Sequence, residues 1–530
     1  MRIRAAVSRL TLVFVCLLSP HLFAENLEEI FALARKNDAE WAAKKQKYLA
    51  DHEKMEQAYG GLMPNASLNG SWGKQYYESD EVVFDGGIPG GGVNEFIACS
   101  VINNPSTIDE ALDVCGSTRS SQEDYEATIY DVTVSQPILR MDRWHRYKRA
   151  KSLDNAAKAD LAYSQQELMI RSAETYFGVL RAEEEYRLAK SEEKTLRTQL
   201  TEIKNRYKLG LMRDTDVFEL QAQHDIAKAA VIVAQSQVEV MKENMALLTG
   251  NYIDVVSPLP KDIPIEPPQP YELAEWEDFA KKTNYRLLAS QFALEAAEKE
   301  LSEKKSGHAP TADLFMRYEH RDVGGGFTPS SDTTTFGIQV SIPLYTGGIT
   351  SSQVREADYR VQEARHNMEL ARRNALRETR QYHTQVNANV ASVQARLRAV
   401  KSNNSSLRAI KTGWEDGIRT MTDAISAQRK VFQARKEYAV SRYDYILNTL
   451  KLKKAAGVLS PDDLQTLNTW LDSPTDTVSS VLDEDDSYLQ EVDEIKFERE
   501  IKTFDDEKKS DNGKSHKSLY DAFKAWRDGE

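Results

Sequence analysis

Two short stretches hold the side chains best placed to do chemistry. One is GLMRDTDVFELQ, Gly210 to Gln221; the other is GIRTMTDAISAQ, Gly417 to Gln428. Each has a glycine followed by a threonine–aspartate pair, Thr215–Asp216 and Thr422–Asp423. Gly210 and Gly417 are 207 positions apart, and so are Asp216 and Asp423. The plainest chemistry for these groups is local. A glycine supplies the left-handed conformation that ends a helix. A threonine or aspartate oxygen accepts from the free amides that begin the next one. Asp216-x-x-Glu219 resembles a capping box. A second chemistry is charge pairing. Arg419, charged and with several donors, suits a carboxylate, the alternative being a solvated charge. Trp414 can only donate, through its indole N–H, and the alternative for it is simple packing.

No catalytic constellation accompanies them. The nine histidines are scattered, with no HExxH; His145 and His224 read as helix-surface residues. The glycines of DGGIPGGG and VGGGF lack the Lys-Ser/Thr of a phosphate loop and read as loop tips. There is no Gly-x-Ser-x-Gly elbow. An exported hydrolase is therefore disfavoured, and no metal or cofactor is expected. RMDRWHRYKRA, Arg140 to Ala150, is strongly basic and reads as a collar near a membrane interface.

Residues 1–24 have the form of an export signal: Arg2, Arg4 and Arg9, an apolar Leu10 to Leu18, then Leu22-Phe23-Ala24. No later segment offers about 20 continuous apolar residues, so no transmembrane helix is expected. Export leaves a soluble, surface-bound or β-barrel protein. The formal net charge of -13 becomes -16 without the signal arginines, which argues against nucleic-acid binding. Cys99 and Cys115, in a Gly- and Asn-rich loop, suit a disulfide in an oxidising compartment.

The elements that position the paired motifs are themselves repeated. Met63-Pro64-Asn65-Ala66 resembles Ala309-Pro310-Thr311-Ala312, 246 positions on; Val134-Ser135-Gln136-Pro137 matches Val340-Ser341-Ile342-Pro343, 206 on. The first copy thus carries about 40 extra residues, which contain the cysteine loop. The expected units are 25–256, a six-proline linker at 257–270, 271–460, and an acidic tail at 461–530, read as largely disordered with a helix at SLYDAFKAW.

Each copy reads as helix, two strands, helix, turn, helix. Residues 138–257 and 344–460 contain no proline, and Ala162, Met169 and Tyr176 recur at heptad spacing. A helix from about Arg140 to Leu209 would run roughly 105 Å. Four segments near ten residues long alternate apolar and polar side chains, around Leu68, Val132, Leu314 and Ile338. Pro137 and Pro343 are expected to mark strand ends. Alternation fits either a membrane barrel wall or a soluble half-buried sheet. Four strands cannot enclose water, so a membrane reading needs several chains.

With these residues in view, the chain closely resembles the TolC family of outer-membrane channel-tunnels, in its TolC-type branch. The resemblance rests on VSIPLYTGG (Val340 to Gly348), Tyr207-x-x-Gly210 with Thr215-Asp216, Gly417-x-Arg419-Thr420-x-x-Asp423, and RYDYIL (Arg442 to Leu447), in order over about 25–470. It implies a membrane α+β fold: a homotrimer with a 12-stranded β-barrel, four strands per chain, continued by a long α-helical barrel. It implies a passive exit duct in the outer membrane, extending into the periplasm. Its partners would be outer-membrane lipid, a periplasmic adaptor, and an inner-membrane pump or ABC exporter. It places Gly210 and Gly417 at periplasmic tip turns. Asp423 matches an entrance selectivity ring. The second ring position is Ser426 rather than aspartate, and Glu219 is the corresponding residue of the first copy. Thr215, Asp216, Trp414 and Arg419 match gate contacts between the copies, with Trp414 standing where the family has tyrosine. The alternative from another class is a periplasmic coiled-coil adaptor or structural spacer.

Overall fold

The computed structural model describes residues 26–84, 116–260, 263–323 and 330–471. The expected signal segment, Cys99 and Cys115, and the tail beyond 471 lie outside the described residues. The chain forms two compact units. Of the described residues, one takes 48–84, 116–158, 289–323 and 330–369; the other takes 26–47, 159–260, 263–288 and 370–471.

The first unit is built on an antiparallel sheet of β1 (Asn65–Phe84), β2 (Gly116–Leu139), β3 (Thr311–Val323) and β4 (Ser331–Ser341), paired in chain order. Period-two alternation sorts its faces. Ala66, Val134, Met316 and Phe336 form one row and Leu68, Val132 and Tyr318 the next. Between them run Ser67, Thr133, Arg317 and Thr335. On the polar face Asn69 donates to Asp131 (3.1 Å), and so does the Thr133 hydroxyl (3.0 Å). The apolar face is uncovered: Trp72 is 71% exposed and Phe336 82%.

The strands of the first copy are longer than alternation indicated, with 20 residues in β1 and 24 in β2. β3 ends at Val323, opposite Ala127, while β1 and β2 stay paired to Phe84 and Gly116. The apolar alternation of β1 fades after Tyr76, so the hydrophobic pattern reports only the part shared by four strands. Pro137 does not end its strand. It lies inside β2 opposite Asp313, at a register shift that brings Leu139 opposite Ala312. A bulge drops one ladder position, which accommodates a residue without an N–H and swaps side-chain parity. Leu139 thereby joins the apolar face. Pro343 does follow the end of β4.

The helices are α1 (Leu27–Asn37), α2 (Ala39–Gly60), α3 (Met141–Lys208), α4 (Asp214–Thr249), α5 (Leu273–Thr283), α6 (Tyr285–Lys305), α7 (Ile349–Glu415), α8 (Met421–Ala456) and α9 (Pro461–Asn468). The 36-residue α4 and α8 keep the 207-residue offset at both ends. A break before each strand pair was missed in the sequence. It falls at Asp38 and Asn284, whose side-chain oxygens accept the amides of Trp41 and Leu287, both at 2.9 Å. These are side-chain caps inside long helix-favouring runs, which propensity alone does not reveal.

The helical unit has its core where α1, α3, α4, α5, α8 and α9 meet. Leu27, Tyr176, Phe177, Met245, Trp276, Ile446 and Leu464 are buried there. The beginning of the expected tail is thus folded. Pro461–Asn468 is a helix opened by a Ser460–Asp463 capping box, and Leu464 and Leu467 enter the core. Its two leucines outweigh its acidic composition. The proline-rich linker is held by side chains rather than by a sheet. The Tyr176 hydroxyl donates to Ser257 O (2.7 Å), Tyr445 donates to Glu266 O (3.0 Å), and Trp276 donates to Pro270 O (2.7 Å).

Candidate functional site

Both repeated turns end a helix in the same way. Gly210 and Gly417 have φ of 74° and 76°. The Leu211 amide donates to Arg206 O (3.0 Å) and Gly210 to Tyr207 O (2.9 Å); Ile418 donates to Gly413 O (2.8 Å) and Gly417 to Trp414 O (3.0 Å). This is the Schellman arrangement, in which carbonyls left over at the helix end find donors across a left-handed residue.

The helices that follow begin differently, and earlier than the sequence suggested. α8 has Thr420 rather than Thr422 at its N-cap, and Asp423 completes a capping box with it. The Asp423 amide donates to Thr420 Oγ1 and the Thr420 amide to Asp423 Oδ2, both at 3.1 Å. The Thr420 hydroxyl and then its amide, each interacting with the Asp423 carboxyl, hold it below the usual carboxylate range, with help from the Arg419 charge. α4 has Arg213 at its cap and no side-chain cap bond. Asp216 is therefore already within the first turn, and Asp216-x-x-Glu219 forms no box because Glu219 lies a turn further in.

Arg419, Asp423 and Ser426 line one small cleft of about 150 Å³ with Asn403, Ser406 and Lys430. The structure thus joins the second-copy ring and gate residues, Asp423, Ser426 and Arg419. It does not join the gate residues across the two copies within one chain. Asp216 faces Arg213 (3.4 Å), and Thr215 donates its amide to Asp214 (2.8 Å). Among the described residues neither Trp414 nor Arg419 bonds to Thr215 or Asp216. Trp414 instead packs against the buried Leu200, Ile203, Leu220, Met421 and Ile425, with the Arg206 guanidinium 5.8 Å from its ring centre. Burying the larger, flatter ring takes precedence over its single N–H donor. The sequence reading missed Arg206, Arg213 and Lys430. Thr420 was detectable, since Thr-x-x-Asp before an apolar run is itself a capping signature.

The sheet is the second functional feature. Among the described residues no helix is long and apolar enough to cross a membrane. The strands carry an exposed apolar face, with a polar face behind it.

The profile of the family described as Outer membrane efflux protein matches residues 104–251 and 278–458. The chain belongs to this family. It is 30% identical over 368 residues to the outer membrane protein TolC of Escherichia coli, covering 66% of this chain and 73% of that one. It is 22% identical to the alkaline protease secretion protein AprF of Pseudomonas aeruginosa, over 88% of this chain and 91% of that one. The outer membrane protein VceC of Vibrio cholerae has the same fold, with a TM-score of 0.62 at 16% identity, over 81% of this chain and 96% of that one. As a member of the outer membrane efflux protein family the protein is an outer-membrane channel and not an enzyme. The strands and helices described above have the fold of these channel-tunnels.

Proposed function

We propose that the protein is the outer-membrane exit duct of a tripartite efflux pump or type I secretion system, working as a homotrimer. The observation that carries this is the sheet: one uncovered apolar face, one polar face, and outer edges on β1 and β4 without a strand partner among the described residues. Exposed apolar rows are costly in water and neutral against lipid. Unpaired strand edges are costly in a bilayer, and joining β1 of one copy to β4 of the next removes them. Three copies give a 12-stranded barrel, wide enough to hold water behind the polar rows. The likeness to secretion and efflux proteins supports the same reading.

The long helices then line the duct in the periplasm, and the turns at Gly210 and Gly417 form its entrance. Three copies of Asp423 ring the axis, with Glu219 adding charge at the level where Ser426 has none. Arg419, which has no salt bridge within its own chain among the described residues, is placed to bond the Thr215–Asp216 pair of a neighbouring copy and hold the entrance closed. An adaptor protein and an inner-membrane pump or ABC exporter engage that end and supply the energy. The matched offsets reflect an internal duplication. Residues 1–24 direct export. The test is to purify the mature chain in mild detergent and add it to a planar lipid film. A three-chain particle giving discrete conductance steps is expected; a monomer that leaves the film silent would overturn the reading.

A further inference from the structure

The basic stretch that follows β2 has a charge arrangement the channel reading does not use. α3 presents one side to α2: Tyr147 lies 5.7 Å from Tyr59, and Asp154 is 2.9 Å from His52. It presents another to α6: Arg146 binds Glu303 (3.0 Å) and Arg149 binds Glu300 (3.2 Å). At 3.6 residues per turn, Trp144, Lys148 and Lys151 share the stripe left over. Trp144 is 43% exposed, 6.1 Å from Tyr147, and carries the Lys148 ammonium 5.1 Å from its ring centre.

The cations here fall into two sets. Arg140, Arg146 and Arg149 are matched by Asp142, Asp313, Glu303 and Glu300. Lys148, Lys151 and Lys299 have no salt bridge among the described residues. Lys148 and Lys299 both act on His145, whose Nδ1 is buried without a hydrogen-bond partner. Unmatched positive charge therefore gathers beside an exposed aromatic group. In the chain, Trp144 and Tyr147 also follow within a few residues of the apolar face of the sheet. The bulge at Pro137 places Leu139 on that face, and the exposed Met141 begins α3 directly after. Aromatic rings next to lysines, just beyond an apolar band, suit the boundary between acyl chains and headgroups.

We infer that Lys148, Lys151 and Lys299, with the Tyr59–Tyr147–Trp144 group, form a binding site for the phosphate headgroup of an anionic phospholipid. The inference rests on the sheet being the membrane wall. The phosphate meets the lysines, the glycerol region lies against the rings, and the acyl chains follow Leu139 onto the strands. A solvated basic patch would not need exposed aromatic rings at its centre, and a plain aromatic belt would not need unmatched lysines.

The test uses the full-length trimer in phosphatidylcholine nanodiscs that contain about 10% of either brominated phosphatidylglycerol or brominated phosphatidylcholine. The Trp144 contribution is the difference between the wild type and Trp144→Phe. Brominated phosphatidylglycerol is expected to quench it at least about twofold more, with the preference shrinking as salt is raised. The triple variant K148Q/K151Q/K299Q should lose the preference and K148R/K151R/K299R should keep it, with circular dichroism and trimer mass as fold controls. Equal quenching by the two lipids would overturn the inference. So would displacement by inorganic phosphate at constant ionic strength, which would mark a free-phosphate site. No quenching by either lipid, in a wild type that still conducts, would remove the lipid site and leave the channel reading standing. A wild type that forms no channel would remove both.

Discussion

Thr420 and Asp423 cap each other across the first turn of α8, each accepting the other's amide at 3.1 Å. The pair that starts the helix also keeps its carboxyl ionised, since the bonds from Thr420 lower the Asp423 pKa. A carboxyl whose folded pKa is depressed contributes stability above its unfolded pKa, and this is lost as pH falls through the folded value. Thr420→Ala should therefore move the acid-side midpoint of cation selectivity upward, toward an ordinary carboxylate, and Thr420→Ser should restore it. The midpoint can be read from reversal potentials at stepped pH. If Thr420→Ala leaves it in place, the cap is not what sets the charge.

The charge at the entrance should be shared between the copies. Asp423 has no second aspartate a turn on, because Ser426 stands there, and Glu219 is the first-copy residue at that level. Rings of carboxylates concentrate cations. Asp423→Ala together with Glu219→Ala should reduce cation selectivity more than either change alone. Reversal potentials equal to those of the wild type in the double variant would rule the ring out.

Arg419 tests the closed entrance separately. Its stem packs closely on Gly413, where an added Cβ would lie 3.0 Å from Arg419 Cγ. If Arg419 holds the entrance closed as proposed, Arg419→Ser should raise single-channel conductance, with trimer mass unaltered. A conductance like that of the wild type would make Arg419 a solvated charge.

Much of this architecture was legible because it was written twice. Gly210 and Gly417 were readable as helix ends, since only a left-handed residue explains a glycine at the same place in two helical runs. Leu68, Val132, Leu314 and Ile338 announced the strands by alternation. What escaped was set by contacts distant in sequence. The role of Trp414 depends on the cluster that holds Leu200 and Leu220, and no local pattern shows that its ring would pack, half-buried, against it. The breaks at Asp38 and Asn284 depend on single side-chain oxygens. The folding of Leu464 and Leu467 depends on α1 being beside them, whereas composition averaged them into an acidic tail.

Gly457 should be far less replaceable than its counterpart at the turn. Both Gly417 and Gly457 are left-handed, with φ of 76° and 78°. A Cβ at Gly417 meets open space, but at Gly457 it would lie 2.2 Å from Thr283 O. Thr283 cannot easily yield, because its hydroxyl donates to Ala456 O at 2.8 Å. Gly417→Ala should cost about 1–2 kcal/mol, the left-handed penalty alone. Gly457→Ala should cost more than about 4 kcal/mol or prevent folding. Thermal unfolding of the two variants side by side decides it, and equal losses would mean that the close approach relaxes.

Glu183 should make the helical unit less stable as pH rises toward neutrality. Burial raises its pKa to about 7, against the opposing pull of Lys242, whose ammonium is 3.8 Å away and mainly engaged by Asp254 at 2.7 Å. An acid with a raised folded pKa binds more protons folded than unfolded, so stability falls between its ordinary pKa and the raised one. The window runs from about pH 4.5 to 7. Glu183→Gln keeps the shape and removes the titration. The variant should gain melting temperature relative to the wild type above pH 7, with little difference near pH 4, and the slope between should flatten. If the two melting curves stay parallel from pH 4 to 8, the carboxyl is solvated or fully matched by Lys242, and burial does not govern it.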